Sequence, residues 1–318
     1  MNPSDVITSS PAYELLESLG ASPGGVRKTD VKVMGLEVGL AELRRVGYAV
    51  AEEGDLLRLT TPVDVIDRGR LQERLQTVAL GRSVGCQVET ASTNDLAVSA
   101  AYEGAPHGSV ILAEYQTRGR GRAGRHWHSP PNCGLWLSVV LRLADVDARS
   151  PGMMTLGAGV AAAAAVEQAT GTRPALKWPN DILFDGRKMG GILCERHEKF
   201  AVIGIGVNVN HAAEDFPDDL RDSAISLGQI TGTPLHREDV LADLLLGLEA
   251  ILDETGDSIR ERWLLFWGDR GRQMQFTVES GLVDGIARGL SDDGGLVMET
   301  ADGVRTVYAG DVVPLTVK

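Results

Sequence analysis

Apolar residues recur at helical spacing in two short stretches near the start of the chain, over 12–19 and 36–46. In the second, Leu36, Leu40 and Leu43 share a face and Gly47 supplies the stop. Tyr48-Ala49-Val50 and Leu56-Leu57-Arg58-Leu59 then flank the polar Glu52-Glu53-Gly54-Asp55, the pattern of a hairpin. Helix, helix and hairpin predict a small winged helix-turn-helix over 1–64. Residues 64–78 are polar and read as a helical connector.

From residue 84 the pattern changes to strands alternating with helices, which predicts an α/β domain over 65–271. A short strand over 84–88 leads through Ser92-Thr93-Asn94, a helix cap, into a helix over 96–102. Strands follow over 109–115 and 134–143; in the latter Leu135, Leu137, Val139 and Leu141 alternate with Trp136, Ser138 and Val140. An alanine-rich helix spans 154–170, with Gly157 and Gly159 for close packing. Leu176 begins a hairpin that turns at Asp185-Gly186 and returns to Glu195. The strand over 200–210 places Gly204, Gly206 and Asn208 on one face, leaving room there for a ligand ring. After a loop with short helical turns over 216–227, one amphipathic helix spans 238–252 and another ends near Trp267. Short β runs over 275–279, 282–290, 295–300, 304–308 and 312–317 predict a small barrel over 272–318.

With 318 residues and a net charge of −13, the chain has ample core for several domains and no general attraction for polyanions. The would-be reading helix opens with Met34, Gly35, Glu37, Val38 and Gly39, and the wing tip carries Glu52, Glu53 and Asp55. Both argue against DNA binding, which needs cations at phosphates and polar side chains at base edges. Cys86, Cys133 and Cys194 are dispersed and fit neither a disulfide framework nor a zinc site. Residues 1–11 lack a signal-peptide pattern and no apolar run is long enough to span a bilayer, so the expected location is the cytoplasm.

Against this acidic background one stretch stands out. Residues 115–130 read Tyr-Gln-Thr-Arg-Gly-Arg-Gly-Arg-Ala-Gly-Arg-His-Trp-His-Ser-Pro. Arg118, Arg120, Arg122 and Arg125 alternate with Gly119, Gly121 and Gly124, which puts several guanidinium forks on a flexible backbone. That composition suits a lid over a phosphorylated or carboxylated ligand. His126 and His128 lack a third metal ligand and read as surface residues.

Four segments then form an ordered set: Gly119 to Arg125; Lys177-Trp178-Pro179-Asn180-Asp181; Lys188 followed by Gly191-Ile192-Leu193; and Gly204-Ile205-Gly206-Val207-Asn208. With Ser92-Thr93-Asn94 they closely resemble the biotin–protein ligase family, in its longer form with an N-terminal winged helix. The resemblance is specific over 82–210; the terminal modules match in layout. It implies a class II aminoacyl-tRNA-synthetase-like core and an SH3-like C-terminal barrel. It also implies a two-step reaction, in which biotin and ATP give biotinyl-adenylate and a lysine of a biotin carboxyl carrier domain then takes the biotin.

By the same resemblance Ser92, Thr93, Asn94 and Gln116 hold the biotin ureido head, while Gly119, Arg120, Gly121, Arg122 and Arg125 cover the adenylate. Lys188 meets the biotin carboxylate and the α-phosphate; Lys177, Asn180 and Asn208 lie near the nucleotide and its Mg²⁺; Gly191, Gly204 and Gly206 admit the ligand; Trp127 stacks or packs nearby. Lys188, Arg122 and Asp181 are the implied catalytic set, with Asp181 serving either the metal and ATP or the incoming amine. The protein ligands of any metal stay unassigned. Ala123 stands where the family often has a larger basic residue. Two alternatives stay open, a lipoate–protein ligase and a biotin-responsive repressor, as does pairing with a second copy.

Overall fold

The structure is a computed structural model that describes residues 7–144, 149–278, 281–308 and 311–314. In chain order the elements begin α1 (Pro11–Ala21), β1 (Val26–Arg27), α2 (Lys28–Val33), α3 (Glu37–Val46), β2 (Val50–Glu53), β3 (Leu56–Leu59) and α4 (Arg68–Arg74). Ser10 starts α1 by accepting from the Tyr13 amide, with Pro11 in the first turn where no amide is required. The sheet order β1-β3-β2 and the packing of α1 on α3 make the expected winged helix. A Cβ on Gly39 would meet the Pro11 carbonyl oxygen at 2.6 Å, so glycine sets the closeness of that helix crossing. Helix α2 is an addition to the expected elements, because Val31 is its only buried residue and too little for a periodic signal. The connector is helical only over α4.

The central part continues with β4 (Val84–Thr90), α5 (Thr93–Tyr102), β5 (Val110–Gln116), β6 (Gly134–Arg142), α6 (Pro151–Thr170), β7 (Ala175–Lys177), β8 (Asp181–Phe184), β9 (Arg187–Arg196), β10 (Phe200–Asn208), α7 (Leu227–Thr231), α8 (Arg237–Leu252) and α9 (Gly256–Phe266). Its seven strands form one mixed sheet in the order β4-β5-β6-β10-β9-β8-β7. Only β4 and β5 run parallel; the remaining pairs are antiparallel. Alternation gives the two faces different covers. Val140 and Val202 pack with Ala97 and Ala101 of α5, whereas Ile203 and Cys194 face Met154 of α6, with Leu248 and Ile251 of α8. A Cβ on Gly157 would lie 2.6 Å from Ile251, which is the close packing expected of that alanine-rich helix.

The chain ends in β11 (Gln273–Val278), β12 (Gly281–Leu290), β13 (Leu296–Thr300), β14 (Gly303–Val307) and β15 (Asp311–Pro314). They form an antiparallel five-stranded SH3-like sheet in the order β14-β13-β12-β11-β15, with a bulge between Ala287 and Gly289. Glu279 and residues 315–317, which the sequence placed in strands, lie outside the described residues, as do residues 1–6. The β12–β13 turn touches the central part: Asp293 O accepts from Ser150 Oγ at 2.7 Å and Gly294 O from Trp178 Nε1 at 3.0 Å.

Candidate active site

The α5-facing side of the sheet carries a cavity of about 820 Å³, and every expected site residue except Gly119 lines it. Its floor follows from strand register. Gly206 lies between Trp136 of β6 and Gly191 of β9, and Gly204 between Ser138 and Leu193. The room these glycines create is filled by side chains, not left for a ligand ring. A Cβ on Gly204 would lie 2.1 Å from Asn94 Oδ1, and one on Gly206 would lie 2.6 Å from the Trp127 ring.

The Ser92-Thr93-Asn94 corner is buried and linked by side chains rather than by capping alone. Ser92 occupies the N-cap position of α5 without a side-chain capping bond. Gln116 Oε1 accepts from the Thr93 amide at 2.8 Å and from Thr93 Oγ1 at 3.2 Å, and Gln116 Nε2 donates to Ser129 Oγ at 2.9 Å. Ser138 Oγ lies 2.9 Å from Thr93 Oγ1 and 2.5 Å from Asn94 Oδ1. This is a compact set of donors and acceptors suited to a neutral polar ring. Ser138 belongs to it though sequence reading placed it simply on a strand.

Across the cavity, Lys188 Nζ is 2.6 Å from Asp181 Oδ1 and 5.2 Å from the centroid of Trp127. The Lys188 backbone is gripped on both sides, its amide donating to Ser223 O and its carbonyl accepting from the Ile225 amide. Asn208 Nδ2 reinforces that grip by reaching Lys188 O at 3.3 Å and Ile225 O at 3.2 Å. Asn180 is braced in the same manner, donating to Ile192 O at 2.9 Å. The Trp178-Pro179 peptide is cis, and the buried Trp178 ring packs toward the C-terminal sheet, which leaves Lys177, Asn180 and Asp181 on the cavity wall.

The arginine loop spans the mouth between β5 and β6. Its neck is closed by an Arg120–His126 bridge and by the Trp127 amide donating to Gly119 O at 2.8 Å. Gly119 is the correction here. It is buried, and a Cβ there would meet the Trp127 carbonyl at 2.4 Å, so it serves packing of the neck, not loop freedom. The left-handed positions fall at the tip, Ala123 with φ 53° and Gly124 with φ 73°. Arg122 Nη1 points to Asn180 Oδ1 at 3.4 Å, and Arg122 and Arg125 both line the cavity, whereas Arg118 does not. His126 and His128 line it too, with His128 Nε2 bonded to Asp215 O at 2.9 Å.

Phe216, Leu220, Ser223 and Ala224 complete the wall from the turn-rich segment between β10 and α7, to which the sequence assigns no site residue. Among the described residues no group of three or more His, Cys, Asp or Glu is arranged to hold a metal, and no helix is long and apolar enough to cross a membrane. The three cysteines are free, and burial pushes each thiol up to about 12, which keeps them protonated.

Comparison with known proteins fits this geometry. Residues 84–210 match the model of the biotin/lipoate A/B protein ligase family, and residues 271–313 that of the biotin protein ligase C-terminal domain. The bifunctional ligase/repressor BirA of Bacillus spizizenii is 34% identical over 86% of this chain and 87% of its own length. The chain belongs to the biotin–protein ligase family. The biotin–[acetyl-CoA-carboxylase] ligase of Mycobacterium tuberculosis is 35% identical over 79% of this chain and 96% of its own. A biotin protein ligase from Aquifex aeolicus, solved with biotin and ATP, superposes with a TM-score of 0.65 at 28% identity, over 73% of this chain and 98% of that one.

Behind the site of this biotin–protein ligase family member lies a buried imidazole that sequence reading passed over. His211 stacks on Phe216 at 4.8 Å and meets Trp136 edge-on at 5.6 Å, and neither ring nitrogen has a hydrogen-bond partner. Burial, then the nearby His128 and Arg237, lowers its pKa to about 3. An unfolded imidazole binds a proton near pH 6.5 while the folded one stays neutral, so stability is full above 6.5 and falls as pH drops toward 3. One such proton contributes a slope of up to about 1.4 kcal/mol per pH unit. Urea unfolding between pH 7 and 5 should therefore be flatter in His211→Phe than in the wild type; equal slopes would assign the pH dependence elsewhere.

Proposed function

We propose that this chain is an ATP-dependent biotin–[biotin carboxyl carrier protein] ligase that works through biotinyl-adenylate. The observation that carries this reading is a single cavity joining a neutral polar corner to a cationic wall. The corner is Thr93, Asn94 and Gln116, backed from beneath by the buried Ser138; the wall is Lys177, Lys188, Arg122 and Arg125. Biotin has the matching shape, a ureido head with both donors and acceptors and a carboxylate at the other end.

In the first step the biotin carboxylate oxygen attacks the α-phosphorus of ATP and pyrophosphate leaves. Two anions must approach, so charge neutralisation and alignment dominate the barrier. Lys188 is proposed to stand between them, with Arg122 and Arg125 over the phosphates. Asp181 holds the ammonium in place and Asn208 fixes the backbone it springs from, while Asn180 braces Ile192 farther along the same strand. The oxygens on this wall that Mg²⁺ could meet are those of Asp181 and Asn180, which here face Lys188 and Arg122, so the ion would be held mainly through the phosphates. When bound it would neutralise triphosphate charge. In the second step the carrier lysine amine attacks the acyl carbon and AMP leaves. The loop excludes water from this mixed anhydride in the interval.

The division into 1–64, 65–271 and 272–318 is proposed on the same basis, one sheet for each part. The bifunctional relatives bring repression into view. Against a DNA-reading role here, Val33, Met34 and Val38 are exposed on the would-be reading surface, and Arg44 and Arg45 of α3 are tied to Glu52 and Glu89. Ligation is tested by exchange of labelled pyrophosphate into ATP. Biotin should stimulate it and lipoate should not; stimulation by lipoate alone would overturn the reading.

A further inference from the structure

Along β9 the residues on the cavity side alternate, and beyond Gly191 and Leu193 the next is Glu195, just past the rim. Its Oε2 accepts from Asn94 Nδ2 at 2.8 Å and from Arg120 Nη2 at 2.5 Å. One carboxylate oxygen thus joins the polar corner to the neck of the arginine loop. Each partner is held on its other side. Asn94 Oδ1 faces Ser138 Oγ and sits over Gly204, while Arg120 also pairs with Asp95 Oδ1 at 2.9 Å. The bond to the acid fixes which way the Asn94 amide points, since only its NH₂ can donate. Arg120 sits at the neck of the loop, where it bridges His126, whereas Arg122 and Ala123 lie at the tip with its left-handed backbone.

We propose that Glu195 is a positioning residue whose one carboxylate holds both the neck of the arginine loop, through Arg120, and the ring-binding amide of Asn94. The inference rests on the ligase reading and adds to it a group outside the motifs that suggested it. Arg120 on this account is not spent on phosphate. It is a strut between Glu195 and Asp95, and the anion-facing work falls to Arg122, Arg125 and Lys188.

The test uses the full chain and separates two readouts: the biotin KM in pyrophosphate exchange, and the escape of biotinyl-adenylate into a filtrate when no acceptor is present. Glu195→Gln keeps an oxygen for Asn94 and loses the charge opposite Arg120. It should speed adenylate escape by about threefold to fivefold, the range of a partly exposed ion pair, with the biotin KM little changed. Glu195→Ala loses both bonds and should also raise the biotin KM by about tenfold while leaving the ATP KM near wild type. Adding Glu195→Gln to Arg120→Ala should cause no further escape, because the two act as one unit. Wild-type escape and KM in both Glu195 variants, with only the melting temperature lowered, would overturn the inference, as would additive effects in the double variant. If Glu195→Ala does not fold, the Gln variant still decides. Absence of biotin-stimulated exchange in the wild type would instead overturn the ligase reading beneath it.

Discussion

Lys188→Ala is expected to slow biotin-dependent pyrophosphate exchange by at least about a hundredfold, the effect of removing one preorganised charge from a developing anionic transition state. Two features of the structure put this effect at the high end for a single side chain. The ammonium is aimed by a backbone held on both sides, by Ser223 and Ile225, so little ordering remains to be done when substrates arrive. It also faces Asp181 at 2.6 Å, and its loss leaves that carboxylate opposite two incoming anions. Removal therefore adds repulsion to lost attraction. A double variant distinguishes the two contributions: Lys188→Ala with Asp181→Asn should regain part of the loss if repulsion matters. Arg122→Ala should fall in the same direction by a similar factor, since its guanidinium lies on the same wall, 3.4 Å from Asn180 Oδ1. Near-normal exchange in both single variants would remove Lys188 and Arg122 from the chemistry.

The sequence made the floor and wall of this site readable for physical reasons. Glycines at alternate positions of an apolar strand mark a face where something must approach closely, and Gly204 and Gly206 do face the cavity. What approaches them was not readable. Asn94 and Trp127 fill that space, and both reach it from segments far away in sequence, through a fold that spacing does not encode. The arginine loop was legible from composition, but its neck was not. Gly119 and Gly121 look alike in a string of Gly-Arg repeats, yet Gly119 is packed against the Trp127 carbonyl and Gly121 borders the cavity. Ser138 and Glu195 sat in plain strand patterns, where a polar residue on one face reads as solvent exposure until helix α5 is seen to cover that face. The winged helix was legible from its second helix and hairpin, whereas α2 carries too little apolar signal to stand alone.

Arg237→Ala is expected to destabilise the chain by about 3–5 kcal/mol, the cost of leaving a buried charge without its partner. Arg237 begins α8 with a fully buried guanidinium. Its Nη1 reaches Glu114 Oε2 at 2.8 Å and Gly134 O at 2.9 Å, and its Nε and Nη2 reach Asp64 Oδ2 and Asp64 O at 3.0 and 2.6 Å. Burial works against its charge, but Glu114 and Asp64 outweigh that and hold the pKa above its ordinary value. The stability at stake is that of a junction. Glu114 also accepts from the Ile66 amide, and Ile66 O in turn accepts from Tyr13 of α1, so one guanidinium ties the segment after the winged helix to β5 and α8. Urea unfolding should show the loss, and limited proteolysis should show cleavage near residues 60–67 before global unfolding. Substituting Arg237→Met together with Glu114→Leu removes both buried charges and should recover much of the stability, because an apolar pair replaces a desolvated one. It should not restore the order of the junction, since Asp64 would keep only Asn210 and the Ile66 amide would lose Glu114. If the double variant is as unstable as Arg237→Ala and no more susceptible near 60–67 than the wild type, the network acts through packing alone. If stability returns while the junction stays labile, the buried ion pair is kept for the placement of the winged helix and not for the stability of the sheet.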